Sequence, residues 1–314
     1  MSKPLVTVVV PTSNRASYLE VTLASLAAQD VDVEWETIVV DDASRDSTPE
    51  VIERFGVRSI RHDEPLGPNA GRNEATTATR ADLVALVDDD VYVPPHWLRE
   101  MVAAADRHPD ADVLGGRIRA RFDGPAPGSC GREDPPITTL DLGEEDHAAE
   151  LVWSANLMFR RRAFELAGPF PEDIPPGGDE EEWLRRLGAA GGSVWYVADA
   201  WLDHRREGDD ARLRSLMRGA YHRGRNVRSY DARRGVAPPV ARELRVLAGC
   251  GWHTLRRACP QGFIMGAHSW GRLREALSPR EMADGRWQMA GGSARRAEAA
   301  PAPREDSSAA GPPA

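Results

Sequence analysis

Lysine, cysteine and long apolar runs are what this chain of 314 residues has least of. Lys3 is the single lysine among 40 basic residues, a bias that carries no mechanism. The three cysteines, Cys130, Cys250 and Cys259, form no C-x-x-C pair, and their odd number argues against a disulfide framework and fits a reducing compartment. No run approaches the roughly 18 apolar residues of a spanning helix. The first apolar stretch, Leu5 to Val10, is too short for the core of a signal peptide and gives way at once to Thr12, Ser13, Asn14 and Arg15. The expectation is a cytoplasmic protein, free or held peripherally at the inner face of the membrane. No G-x-G-x-x-G follows that first stretch, which argues against a dehydrogenase, and no internal repeat is visible.

What is present is an ordinary globular balance of 41% apolar and 28% charged residues, enough for a sizeable core. The net charge of −9 hides a division: residues 1–204 carry 19 basic against 38 acidic side chains, whereas residues 205–275 carry 16 arginines against 6 acids. A basic carboxy-terminal module suits phosphates, an anionic lipid surface or the acidic first part itself, and no nucleic-acid partner is expected. Residues 291–314, rich in Ala, Pro, Gly and Ser, read as a disordered tail.

The β-branched run Leu5 to Val10, ended by Pro11, reads as a strand buried on both faces, and helical spacing follows from Arg15 to Ala28. Further strands are expected at Glu36 to Val40, Val57 to Arg61 and Leu83 to Val87, with helices starting near Ser47 and Asn69 between them. Such alternation predicts a doubly wound α/β sheet. A helix from Pro95 to Arg107, a strand from Val113 to Phe122 and a long loop from Asp123 to Asp146 come next. Trp153 to Arg161 resumes order, and Asp179 to Ala190 is a helix. The strand Val194 to Val197 precedes Asp203-His204, and a helix laced with arginine is expected from Arg212 to Tyr230.

In sheets of this kind ligands bind beyond the carboxyl ends of the strands, and three such ends carry polar clusters: Pro11 to Arg15, Asp41-Asp42 and Asp88-Asp89-Asp90. Carboxylates crowded on one rim cost stability unless a cation or a cationic ligand neutralises them. Residues i and i+2 at a strand end point to the same side, so Asp88 and Asp90 can jointly hold a hard divalent cation. A solvated acidic turn is the plainer alternative, made less attractive by the buried strand just before it.

The ordered series Val6-Thr-Val-Val-Val-Pro-Thr-Ser-Asn-Arg15, Ile38-Val-Val-Asp-Asp-Ala-Ser-Arg-Asp-Ser-Thr48, Gly67-Pro-Asn-Ala-Gly-Arg-Asn73, Asp88-Asp-Asp90, Gly178-Asp-Glu-Glu-Glu-Trp-Leu-Arg-Arg186 and Asp203-His204 resembles the family 2 glycosyltransferases of GT-A fold over about residues 4–204. The resemblance implies a Rossmann-like mixed α/β sheet flanked by helices and sugar transfer with inversion from a nucleoside diphosphate sugar, most simply UDP or dTDP, to a hydroxyl acceptor such as a saccharide, a lipid carrier or a secondary metabolite. Carried over residue by residue, it implies nucleotide-sugar contacts at Pro11, Thr12, Asn14, Arg15, Asp42, Arg72, Asp88 and Asp89, with Asp41 supporting the turn. It implies Mg²⁺ or Mn²⁺ held by Asp88, Asp90 and His204, and acceptor contacts at Trp153, Asn156 and Trp183. The catalytic base falls at Glu180 or Asp179; the family order of this acidic pair is reversed here, and Asp179 also suits a helix cap. Ser13 stands where many relatives have an aromatic residue.

The implied organisation is a domain over residues 1–204, with a nucleotide-binding half to residue 90 and an acceptor and catalytic half from 91, then a basic helical extension over 205–290 and the tail. Two other functions fit less well. A nucleotidyltransferase needs a Gly-rich first loop with a following Arg and Lys, which Pro11 to Arg15 is not. A non-catalytic sugar-nucleotide-binding protein or scaffold predicts loss of an acidic site that is present.

Overall fold

Val6, Val8, Val9 and Val10 have no exposed surface, because their strand β1 (Val6–Thr12) lies inside a sheet rather than at its edge. It runs parallel to β2 (Trp35–Asp42) on one side and to β4 (Leu83–Val87) on the other, and β3 (Arg58–His62) pairs parallel beyond β2. Helices α1 (Ala16–Ala27), α2 (Thr48–Phe55) and α3 (Pro68–Ala78) connect these strands. The computed structural model describes residues 4–124, 127–131, 135–174 and 176–278 together with two short strands near residue 285; the sequence-predicted tail at 291–314 lies outside the described residues.

Beyond β4 the sheet is mixed. β8 (Asn156–Arg160) is antiparallel to β4, β6 (Val113–Asp123) is antiparallel to β8, and β9 (Val194–Glu207) runs parallel to β6. The short β5 (Val91–Tyr92) and β7 (His147–Ala148) both pair antiparallel with β9. Alternation alone reads as a wholly parallel sheet, but past residue 91 the regular strand-helix rhythm fails, so chain reversals set the pairing. Helices α4 (Trp97–Arg107), α5 (Arg161–Ala167) and α6 (Asp179–Ala189) complete this half; α5 is not foreseen by the sequence.

Asn156 and Trp183 belong to the core and not to an acceptor surface. Trp183 has no exposed area, stacks on Phe170 at 4.4 Å between centroids and donates its indole N–H to the Gly168 carbonyl at 2.8 Å. Asn156, also fully buried, accepts from Trp97 Nε1 at 2.8 Å and donates to the carbonyls of Arg117 at 2.9 Å and Ala200 at 2.8 Å. The register of β6 on β9 jumps between Gly116 and Ile118, and Asn156 supplies the hydrogen bonds that this bulge denies to the two carbonyls. A Cβ at Gly116 would stand 1.9 Å from the Ala200 carbonyl oxygen, so only glycine allows the approach.

The basic segment is not a separate domain. Residue 204 lies within β9, and everything up to Ala276 forms one compact unit. After a short 3-10 turn come α7 (Leu213–Arg233), α8 (Val240–Arg257) and α9 (Gln261–Ala276). Helices α7 and α9 touch backbone to backbone at two glycines: a Cβ on Gly224 would sit 2.1 Å from the His268 carbonyl, and one on Gly271 2.1 Å from that of Tyr221. Helix α7 packs on the acidic half, where Arg233 pairs with Asp173, Arg234 with Glu181, and the Tyr230 hydroxyl donates to Glu182 at 3.2 Å. From residue 277 a second unit begins, in which β10 (Met282–Ala283) and β11 (Arg286–Trp287) pair antiparallel, so the segment expected to be helical up to residue 290 is not helical throughout.

Replacing Asn156 by Ala strands one indole donor and two carbonyls in the core. The expected loss is about 3 kcal/mol or more of unfolding free energy, at 1–3 kcal/mol for each buried group left unpaired, measured by urea denaturation.

Candidate active site

The carboxyl ends of β1, β2 and β4 open into a cleft of about 780 Å³, a size that suits a nucleotide sugar. Pro11, Thr12, Arg15, Asp42, Arg72 and all of Asp88 to Asp90 line it, joined by Trp153, Asp179, Glu180 and His204. Sequence positions almost 200 residues apart thus meet at one rim. Asn14 does not line the cleft; it braces a neighbouring loop from a left-handed backbone (φ 55°), its amide donating to Ser44 Oγ and its side-chain oxygen accepting from the Arg45 amide, each at 2.8 Å.

Pairing of β5 with β9 sets Val91 opposite His204, which delivers the imidazole to Asp90. The ligand atoms of Asp88, Asp90 and His204 lie within 4.8 Å of one another. His204 Nδ1 donates to the Thr138 carbonyl at 3.0 Å, which turns Nε2 to Asp90 Oδ1 at 3.1 Å. That Oδ1 atom is buried and accepts no hydrogen bond among the described residues. Two carboxylates and one imidazole gathered this closely fit a hard divalent cation such as Mg²⁺ or Mn²⁺.

The crowding of acids is relieved by arginine as well. Asp90 Oδ2 accepts from Arg15 Nη2 at 2.7 Å and pairs with Arg206, whose Nη1 also lies 3.2 Å from His204 Nε2. Burial alone would raise the Asp90 carboxyl, but the charges of His204, Arg15 and Arg206 outweigh it and hold Asp90 far below the usual carboxylate range. His204 is raised in turn: burial opposes its charge, and the Asp90 carboxylate overcomes burial. Asp89 behaves oppositely. Burial pushes it up to about 7, with Arg15 pulling down and Asp90 pushing up, and it accepts from the Thr12 hydroxyl at 2.7 Å. Arg15, read from the sequence as a nucleotide contact, is thus the counterion of Asp89 and Asp90 at the cleft wall, with its guanidinium 4.4 Å from the Tyr18 ring.

On the β2 side, Asp41 is buried and holds the turn through the Ser44 amide at 3.0 Å and Arg61. Asp42 reaches the cleft and accepts from the amides of Leu66 at 2.7 Å and Gly67 at 2.9 Å and bonds His62 Nδ1 at 2.8 Å. Burial would raise it, but those three hydrogen bonds keep it below its ordinary value.

The acidic pair at the start of α6 divides its labour by geometry. Asp179 is buried, with Oδ2 accepting from Asn69 at 2.9 Å and Oδ1 from the Gly177 amide at 3.0 Å. Glu180 stands at the cleft wall, and its Oε1 is held by the Ser154 hydroxyl and by the Ser154 amide at 3.3 Å. Burial pushes the Glu180 carboxyl up to about 7, reinforced by Asp179 and moderated by Arg72 and Ser154. Arg72 lies 3.4 Å from Asp88 and 3.6 Å from Asp179, so one guanidinium spans the two acidic groups. Gly178, which precedes the pair, cannot carry a Cβ, since that atom would lie 2.5 Å from the Tyr230 ring.

Sequence reasoning missed Ser154, Thr138 and Arg206. Arg206 was within reach, since it shares a strand face with His204 by the same i, i+2 rule used for Asp88 and Asp90. No local signal places His222, Arg223 and Asn226 of α7 in the cleft lining.

Comparison with known proteins bears on the family and the fold. The family model described as Glycosyl transferase family 2 matches residues 7–167. Glycosyltransferase AglE of Haloferax volcanii is 27% identical over 202 residues, covering 62% of this chain and 65% of that protein, so the chain spans less than two thirds of that relative's length. Among solved structures, the mannosyltransferase PcManGT from Pyrobaculum calidifontis in complex with GDP-Man and Mn²⁺ superposes with a TM-score of 0.56 at 19% identity, over 88% of this chain and 71% of that one. Staphylococcus aureus TarS 1–349 in complex with UDP-GlcNAc gives a TM-score of 0.53 at 18% identity, over 93% and 98%. At such identities the two structures speak for the fold, which is GT-A.

Asp88 is one-third exposed and Asp90 is buried among cations, which separates their variants. Asp88→Asn is expected to weaken Mn²⁺ binding at least about 10-fold by calorimetry with little change in Tm, since loss of even a residue that only orients a ligand costs about that much. Asp90→Asn is expected to weaken Mn²⁺ binding similarly and also to lower Tm, because Arg15 and Arg206 lose their shared anion.

Proposed function

The chain belongs to glycosyl transferase family 2, and from that premise we propose that it moves a sugar, with inversion, from a nucleoside diphosphate sugar to a hydroxyl acceptor. One observation carries this reading: a single cleft holds both the Asp88, Asp90 and His204 cluster and the Glu180 carboxylate. Inverting transfer needs a base on the acceptor side and charge neutralisation on the leaving-group side, and Arg72, between Asp88 and Asp179, lies close enough to Glu180 for its charge to act on that carboxyl.

Glu180 is the base in this mechanism. Ser154 fixes Oε1, which leaves Oε2 to take the proton from the acceptor hydroxyl as that oxygen attacks the anomeric carbon. The nucleoside diphosphate departs from the opposite face. Asp88, Asp90 and His204 would hold Mg²⁺ or Mn²⁺, which would offset the negative charge of the leaving diphosphate. Trp153, half-buried at the cleft wall, offers an apolar face to a sugar ring of the acceptor.

The state of Asp42 favours UDP or dTDP as donor nucleotide. A carboxylate has about four acceptor positions, and Leu66, Gly67 and His62 occupy three. One remaining position matches the single ring N–H of uracil or thymine, whereas guanine presents two adjacent donors.

Peripheral membrane contact is the second part of the proposal. No described helix is long and apolar enough to cross a membrane. Helices α8 and α9 nonetheless expose Trp252, Leu255, Phe263 and Trp270, at 64%, 82%, 50% and 51%, beside the exposed Arg245, Arg256, Arg257 and Arg274. Apolar residues flanked by arginine match an anionic lipid surface and favour a lipid-linked acceptor.

Thermal shift against UDP, dTDP and GDP with and without Mn²⁺ tests the donor site; metal-dependent stabilisation by UDP or dTDP is expected, and none by any diphosphate would move the reading to a non-catalytic scaffold. Glu180→Gln is expected to keep donor affinity and lose at least about 100-fold in turnover, the size of a general-base contribution. Activity should rise with pH through about 7 as Glu180 deprotonates. Ser154→Ala removes a hydrogen bond to the charged form, so its acidic limb should move to higher pH. Sedimentation with vesicles is expected to give salt-sensitive binding to phosphatidylglycerol and none to phosphatidylcholine, with Leu255→Glu abolishing it.

A further inference from the structure

We propose that Cys130, His253 and Cys259 form a second, chemically distinct metal site that takes Zn²⁺. Their ligand atoms all lie within 4.8 Å of one another, and Cys130 Sγ is 3.7 Å from His253 Nε2. A tetrahedral zinc centre with Zn–S near 2.3 Å and Zn–N near 2.0–2.1 Å places sulfur and nitrogen about 3.6 Å apart and two sulfurs about 3.8 Å apart. The cluster therefore closes onto an ion with shifts of an ångström or less. Thiolates and imidazole are soft to borderline donors that select zinc over the hard Mg²⁺ or Mn²⁺ suited to the carboxylate site.

The three residues come from different places, and the chain is shaped to bring them together. His253 lies on α8, and Cys259 follows the end of that helix by two residues. Ala258 between them adopts a left-handed backbone (φ 49°), unfavourable for a residue with a Cβ, and Pro260 confines Cys259 to an extended conformation. These two constraints turn Cys259 back towards His253. Cys130 arrives from the connection between β6 and β8, where the backbone rests on the Pro260 ring: a Cβ at Gly128 would lie 3.8 Å from Pro260 Cδ. Cys250 takes no part; it is buried with its sulfur 3.8 Å from Ser269 Oγ.

Binding releases the two thiol protons to solvent and leaves the fourth tetrahedral position to water. The site ties the β6 to β8 connection to α8. That same connection carries Ile137, Thr138 and Thr139 into the cleft wall, and the Thr138 carbonyl orients His204. Zinc here would link these two segments whichever reaction the cleft performs.

The test is elemental analysis of the full chain purified under reducing conditions without added metal. About one zinc per chain is expected, at least 10-fold less in Cys130→Ser and Cys259→Ser, and no change in Cys250→Ser. Loading with Co²⁺ should give thiolate-to-cobalt charge-transfer absorption that survives Asp90→Asn, which separates this site from the carboxylate cluster. If the serine variants do not fold, the wild-type protein decides: bound zinc should protect Cys130 and Cys259 from alkylation, mapped by mass spectrometry, until a chelator removes it. Absence of zinc and of the cobalt absorption, equal alkylation with and without chelator, or a disulfide joining Cys130 to Cys259 would each overturn the proposal.

Discussion

Burial of Asp90 is the constraint around which the cleft is arranged. A carboxylate taken out of water must be paired, and Asp90 is paired by Arg15 from the start of α1, by Arg206 and His204 from β9, and by little else. Those partners join the beginning of the chain to its third hundred of residues, so a charge requirement at one atom group helps to hold the two halves of the sheet in register. Asp90 is also one of the three candidate metal ligands, so the residue that anchors these contacts is the one a cation would have to share.

A second buried polar group does for the fold what Asp90 does for the site. Asn156 reads as an acceptor contact by position in the family pattern, yet it repairs the hydrogen bonding of a bulge between β6 and β9. Beyond that bulge β9 continues to His204 and Arg206, and the irregularity sets which face of the strand those side chains present. Core structure and site geometry are here the same set of contacts.

The acidic pair of α6 illustrates how tertiary packing distinguishes neighbouring residues of similar chemistry. Asp179 is enclosed by Asn69, the Gly177 amide and Arg72, whereas Glu180, one residue further round the first turn, meets Ser154 and the cleft. The contacts of Asp179 fix the start of the helix, whereas Glu180 is held, among the described residues, on one oxygen only. The negative charge of Asp179 still matters, because it helps raise Glu180 towards neutral pH.

The sequence by itself determined the parallel half of the sheet, since β-branched runs buried on both faces and ended by Pro11, Asp41-Asp42 and Asp88-Asp89-Asp90 admit few other arrangements. It also placed Asp42 and Asp88 to Asp90 at the rim, because each cluster directly follows or ends a buried parallel strand, even though Asp88 to Asp90 themselves form a turn after β4. Only the tertiary structure decided that Trp183 and Asn156 are core, that Asn14 faces a loop, that the arginine-rich helix closes the cleft, and that two of the scattered cysteines meet one histidine. Each of these depends on contacts between segments tens to hundreds of residues apart, through antiparallel pairings and helix crossings that no local periodicity encodes.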